Sequence, residues 1–214
     1  MCFHVLNRAA KRVPLFECDD DYEAFERILA EAITRIRVAI FSYCLMPNHW
    51  HLVLSPLEDG SLSRFMHWVT TTHARRWQSY RELDGQGAVY QGRFRAVAIK
   101  DDHHFLWVCR YVERNPLRAT LVSSADQWPW SSLNLRRAER TIPLANWPVS
   151  RPADWLQRVH APQTNEEIQV FRRAMRTGDP FGDGAWLEDT RTRLGIHRRS
   201  RGRPRRPAPT VLEK

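Results

Sequence analysis

A chain of 214 residues, 43% of them hydrophobic, can bury the core of one ordinary domain and carry an accessory segment. Lys and Arg number 33 against 24 Asp and Glu, and the net charge of +9 suits a polyanionic partner, nucleic acid ahead of an anionic membrane surface. No long apolar run or export leader is found, and Cys2, Cys18, Cys44 and Cys109 lack metal-binding C-x-x-C spacing, so no membrane partner is expected and the thiols fit core positions in a reducing cytoplasm.

In chain order, Phe3 to Asn7 reads as a short strand. Asp19, Asp20 and Asp21 offer a cap and a favourable dipole interaction for a helix from about Asp20 to Arg37, with Tyr22, Phe25, Leu29, Ala32, Ile33 and Ile36 at helical spacing. Val38 to Met46 is a continuous apolar run, Pro47-Asn48 is turn chemistry, and His49 to Leu54 returns as the second arm of a hairpin. Ser61 caps a second amphipathic helix with Leu62, Phe65, Met66, Val69 and Trp77 inward. After a Gly85–Gly87 loop, Val89 to Ile99 reads as extended, and a third helix runs from about Asp101 to Arg114 and stops near Pro116. The order strand, helix, strand, strand, helix, strand predicts an α+β, ferredoxin-like sandwich with helices on one face of an antiparallel sheet. That domain is placed at residues 1–140. Pro143, Pro148 and Pro152 then punctuate a connector, and short helices at Thr164–Arg176 and Gly184–Leu194 define a helical accessory segment at 141–195. Residues 196–214 form an Arg-rich tail expected to be disordered, and no internal repeat is found.

Side chains two apart on a strand share a face, so His49 and His51 sit together while Trp50, Leu52 and Leu54 face the covering helices. Two imidazoles so held can bind one metal ion. Nine histidines in this length give about 0.4 His-x-His pairs by chance, so the pair alone is a weak signal, and it is the hairpin context that raises it. On the third helix Tyr111 and Asn115 are four apart and share a face. A tyrosine beside a cation is a candidate nucleophile, and an asparagine offers a hard carbonyl ligand; taken alone, both are more often structural. His103 and His104 are adjacent on that helix and point apart, which favours surface placement.

At these residues the chain resembles a known family, the REP-associated tyrosine transposases, relatives of the single-tyrosine insertion-sequence transposases of the HUH nuclease class. The resemblance rests on Met46-Pro47-Asn48-His49-Trp50-His51, on Gln91-Gly92-Arg93-Phe94, on the run from Arg110 to Ala119, and on Trp128-Pro129-Trp130-Ser131-Ser132. Gly178-Asp179-Pro180-Phe181-Gly182 and Arg201-Gly202-Arg203-Pro204 extend it to the tail. It implies that His49, His51 and Asn115 hold a divalent cation, Mg2+ or Mn2+, and that Tyr111 attacks single-stranded DNA at a REP-type hairpin to leave a 5′-phosphotyrosine. Three ligands and an open position also suit catalytic zinc. The resemblance further implies a nucleoid-associated protein and leaves monomer and homodimer open. Met1 lies closer to the first strand than is usual in such proteins, which leaves open whether it is the true start. The alternatives are a non-catalytic DNA-hairpin-binding protein and a metal-dependent nuclease with water as nucleophile.

Arg93 and Arg95 lie on one face of their strand, and Arg110, Arg114 and Arg118 repeat every four residues beside Tyr111, so all five are read as a phosphate-binding rim, against the alternative of a solvated basic face. Six arginines and no acid occur from Arg198 to Arg206. Within this run Arg203 is the centre of a Gly202-Arg203-Pro204 core, flanked by Arg201 and Arg205, that is similar to an AT-hook, which enters the minor groove. Most of the nine tryptophans are expected in packing, with one or two stacking on unpaired bases.

Overall fold

The computed structural model describes residues 1–10, 13–83, 85–134 and 141–196. Its frame is an antiparallel sheet of β1 (Phe3–Arg8), β2 (Val38–Met46), β3 (His49–Pro56) and β4 (Arg95–Ala98) in the order β2-β3-β1-β4. Helix α1 (Asp19–Arg35) joins β1 to β2, and α2 (Ser61–Tyr80) joins β3 to β4. This is the expected α+β, ferredoxin-like order. Tyr22, Phe25, Ile28, Leu29 and Ala32 of α1 share a core with Phe65, Met66 and Val69 of α2 and with Val5, Trp50, Leu52 and Leu54 of the sheet. The Asp21 carboxylate at the start of α1 meets Arg81 just past α2 at 2.6 Å, tying the two helices together at that end.

Helices α1 and α2 share one face as expected, but α3 (Asp102–Glu113) covers the other. There Phe105, Val108, Cys109 and Val112 pack with Phe41, Cys44, Val53 and Val97. The reason lies in β2: nearly every residue of it is buried, and an uninterrupted apolar strand needs cover on both sides. A register shift between Ile40 and Ser42 lets Phe41 join the α3 side of the sheet.

The extended stretch expected from Val89 to Ile99 is broken. Tyr90 bridges Ala9, then residues 91–94 bend around Gly92, whose carbonyl accepts from Asn7 Nδ2 at 3.3 Å, and only Arg95–Ala98 rejoins the sheet. At the other boundary α3 ends at Glu113, close to the expected stop before Pro116. The chain turns at Arg114 and resumes as α4 (Asn115–Arg118), where a proline in the first turn lacks only an N–H that would be unpaired anyway.

Helices α5 (Trp155–His160), α6 (Asn165–Thr177) and α7 (Gly184–Arg193) follow. Trp155 and Val159 of α5 and Phe171 and Met175 of α6 enter the core on the α3 side. Thr164 and Glu167 form a capping box at the start of α6, and Gly178, at φ 77°, ends it in the left-handed conformation. Both sheet edges carry partners. Leu45 N–H donates to Trp130 O at 2.9 Å and Ala145 N–H to Ile40 O at 2.8 Å along β2, while Phe181 N–H donates to Ala98 O at 2.7 Å beside β4. Among the described residues no helix is long and apolar enough to cross a membrane.

Candidate active site

Strand register places the histidines. His49 lies opposite Met46 and Arg8, and His51 opposite Cys44 and Leu6, so both point to the α3 side while Trp50 enters the α1–α2 core. Their rings are 5.0 Å apart. His51 is buried, its Nδ1 sits 2.9 Å from His4 Nε2, and its Nε2 has no hydrogen-bond partner among the described residues. His49 is half-buried, with Nδ1 2.7 Å from Asn48 Oδ1. Burial lowers the His49 pKa to about 4, with help from Arg8 and Arg118, and holds His51 well below the usual imidazole value. At neutral pH both rings are uncharged and retain the lone pair that a cation needs.

Helices α3 and α4 bring Tyr111 and Asn115 to the same side of the sheet. Glu113 of α3 is fully buried and accepts from Ser132 Oγ at 2.7 Å, Ser42 Oγ at 3.1 Å and Trp155 Nε1 at 2.6 Å, pinning that helix to β2 and α5. Tyr111, two residues earlier, is buried and stacks on Trp107 at 5.7 Å. Phe171 of α6 meets its ring at 4.8 Å, His51 lies 6.1 Å from it, and the Arg118 guanidinium covers it at 4.2 Å. Asn115 Nδ2 donates to Tyr111 O and Val112 O, both at 3.1 Å. Pro116 has no N–H for Val112 O, so the amide of Asn115 takes over that backbone role and its Oδ1 turns away, where Arg118 Nη2 donates to it.

These groups line one cavity of 610 Å³. Tyr111, His49, His51 and Asn115 share it with Arg8, Arg93, Arg95, Arg118, Arg172 and Arg176, and among the described residues no carboxylate lines it. Of the arginines expected at a phosphate rim, Arg93, Arg95 and Arg118 are there. Arg110 and Arg114 are not: Arg110 Nη2 donates to Ala161 O at 2.6 Å and Arg114 Nη1 to Val159 O at 2.7 Å, so both cap the carbonyl end of α5. Arg201, Arg203 and Arg205 lie outside the described residues. The tryptophans are buried or half-buried, as expected of packing residues. Trp128 Nε1 donates to Leu45 O at 2.8 Å and Trp147 Nε1 to Phe41 O at 2.9 Å, supporting β2.

Sequence reasoning missed His4, Arg8, Arg172 and Arg176. The strand alternation places His4 and Arg8 on one face of β1, but only the pairing with β3 shows that this face carries His51. Arg172 and Arg176 arrive on α6, and no local pattern reports that. A separate exposed group, Asp101, His103 and His104, has ligand atoms within 4.8 Å of one another. It sits at the first turn of α3, two turns from Tyr111, and Asp101 Oδ1 there caps the helix through His104 N at 3.0 Å.

The cavity offers two neutral imidazoles, an amide oxygen and a phenol inside a cationic wall, on a ferredoxin-like sheet. By class this is a transposase-like DNA-processing protein. A family model described as "Transposase IS200 like" matches residues 1–115, and the chain belongs to that family. Among solved structures, it is similar to the REP-associated tyrosine transposase bound to a REP hairpin, at 18% identity and a TM-score of 0.52, over 71% of this chain and 88% of that one. It also aligns with a protein from Deinococcus radiodurans described as a transposase, at 18% identity and a TM-score of 0.42, over 53% of this chain and 88% of that one. No curated protein matches the sequence.

Proposed function

We propose that the chain is a metal-dependent endonuclease and strand transferase for single-stranded DNA, acting beside REP-type hairpins through Tyr111. The observation that carries this reading is the convergence of His49 and His51 from β3, Tyr111 from α3 and Asn115 from α4 on a cavity whose charged lining, among the described residues, is entirely arginine. The donor set fits a divalent cation: among the described residues His51 Nε2 is buried with no partner, and Asn115 Oδ1 accepts from Arg118. Mg2+ or Mn2+ held by His49, His51 and Asn115 would polarise the scissile phosphate and neutralise charge as it develops.

The chain's own groups account for the rest. The arginines draw the phosphodiester backbone into the cavity. Stacking on Trp107, the edge of Phe171 and the cover of Arg118 fix the Tyr111 ring, so its hydroxyl does not have to be ordered when DNA arrives. As the phenol loses its proton, its oxygen bonds to phosphorus, the bond to the 3′ oxygen breaks, and a 3′-hydroxyl leaves. The 5′ phosphate stays on Tyr111 as a diester, so a second 3′-hydroxyl can reverse the step and join strands. Incubating the full chain with a labelled hairpin oligonucleotide carrying a single-stranded flank tests this. A denaturation-resistant protein–DNA adduct formed in Mg2+ and lost in EDTA is expected. Cleavage without an adduct would assign the attack to water, and binding without cleavage would make the protein a hairpin binder.

A further inference from the structure

His4 lies on β1 beside the histidine pair, fully buried, with one hydrogen bond to His51 and its own Nδ1 without a partner among the described residues. Nδ1 of His51 and Nε2 of His4 share one proton between them, which leaves two arrangements. If His4 Nε2–H donates, His51 carries its proton on Nε2, the buried atom that remains to meet a cation, and cannot coordinate through it. If His51 Nδ1–H donates, Nε2 presents a lone pair and the proton of His4 moves to its Nδ1. Each arrangement leaves one buried N–H and one buried lone pair unpartnered, so hydrogen-bond satisfaction does not choose between them. A cation at Nε2 chooses the second.

We infer that His4 is a positioning residue: it accepts the Nδ1 proton of His51 and so holds that ring in the tautomer and orientation that present Nε2 to a divalent cation. The inference rests on the metal reading above. The geometry supports it beyond the single bond. The His4 ring stacks on that of His51 at 5.1 Å and 27°, and meets Phe171 at 5.1 Å and Tyr111 at 6.4 Å. Packed so, it has no room to swing away. His49 has its own acceptor in Asn48 Oδ1 at 2.7 Å, so each histidine of the pair has a neighbour set to receive its Nδ1 proton, as metal-binding imidazoles generally do.

Two measurements on the full chain test this. Long-range 1H–15N correlation of the imidazoles reports the tautomer of His51 with and without Mg2+. Titration of Mn2+ followed by EPR reports affinity in the wild type, His4→Phe and His4→Gln. With Mg2+ bound, His51 is expected protonated on Nδ1 and bare on Nε2. His4→Phe is expected to weaken Mn2+ binding about 10- to 100-fold, as loss of an outer partner of a metal ligand typically does. His4→Gln offers an amide oxygen to the same N–H and is expected to recover affinity to within about threefold of the wild type. A His51 protonated on Nε2 in Mg2+, or a folded His4→Phe that binds Mn2+ as the wild type does, overturns the inference. Should His4→Phe fail to fold, the wild-type spectrum and the His4→Gln affinity decide the matter. A wild type that binds no Mn2+ removes the metal reading itself, and is distinct from a wild type that binds while His4→Phe is unchanged.

Discussion

Asn115→Ala separates the two jobs given to that side chain. The substitution removes two hydrogen bonds, from Nδ2 to Tyr111 O and to Val112 O, each 3.1 Å long and buried. Each is worth about 1 kcal/mol net, and Pro116 cannot supply the helical N–H that Val112 O would otherwise accept, which brings the total to about 2 to 3 kcal/mol. For a protein of this size that corresponds to a fall in Tm of roughly 5 to 10 °C. The same change removes the oxygen ligand proposed for the cation, so the Mn2+ concentration needed for cleavage should rise. Differential scanning calorimetry of the metal-free protein isolates the structural part, and Mn2+-dependent cleavage reports the other. A Tm within a degree of wild type would refute the backbone role, and an unchanged Mn2+ requirement would remove Asn115 from the ligand set.

Arg172→Ala with Arg176→Ala removes two exposed cations from the cavity wall, and the log–log salt slope of single-strand binding should become shallower by roughly 1 to 1.5 at about 0.7 per phosphate; an unchanged slope places α6 off the DNA path. Deleting residues 197–214 should flatten the slope by roughly 3 to 5 while adduct formation at saturating DNA survives, and an unchanged slope means that the tail meets no phosphate. Burial lowers His4 and His73 each to about 3, the latter despite Asp21 nearby. Unfolded, each takes up a proton near pH 6.5, so their contribution to stability is complete above that pH and is lost as pH falls toward 3. Calorimetry should show Tm falling between pH 7 and 4.5, and a flat Tm across that range would contradict the buried neutral state.

Much of the site was legible because its spacings are local. Two residues on a strand bring His49 and His51 together, and four on a helix bring Tyr111 and Asn115 together, whatever the rest of the chain does. The same logic misled for Arg110 and Arg114. Their shared stripe is real, but the stripe faces the end of α5, and only the packing of a later segment decides whether a basic stripe meets solvent, DNA or carbonyl oxygens. The second helical layer was written into β2, whose run from Val38 to Met46 is apolar without alternation, although a hairpin reading asks for only one buried face. His4 required the register of β1 against β3, a fact about two segments that neither carries alone.

The account turns on Tyr111 as the attacking group, and Tyr111→Phe tests it most directly. The substitution keeps the ring contacts with Trp107 and Phe171 and removes only the hydroxyl, so folding and hairpin affinity should stay within a few fold of wild type. The measurement is mass spectrometry of the denatured protein after reaction with a hairpin oligonucleotide in Mg2+. Wild type should carry the portion of the strand 3′ of the cleavage point, joined through its 5′ phosphate to the peptide containing Tyr111, and Tyr111→Phe should carry none. An adduct on another residue, or one of equal yield in Tyr111→Phe, would contradict the assignment.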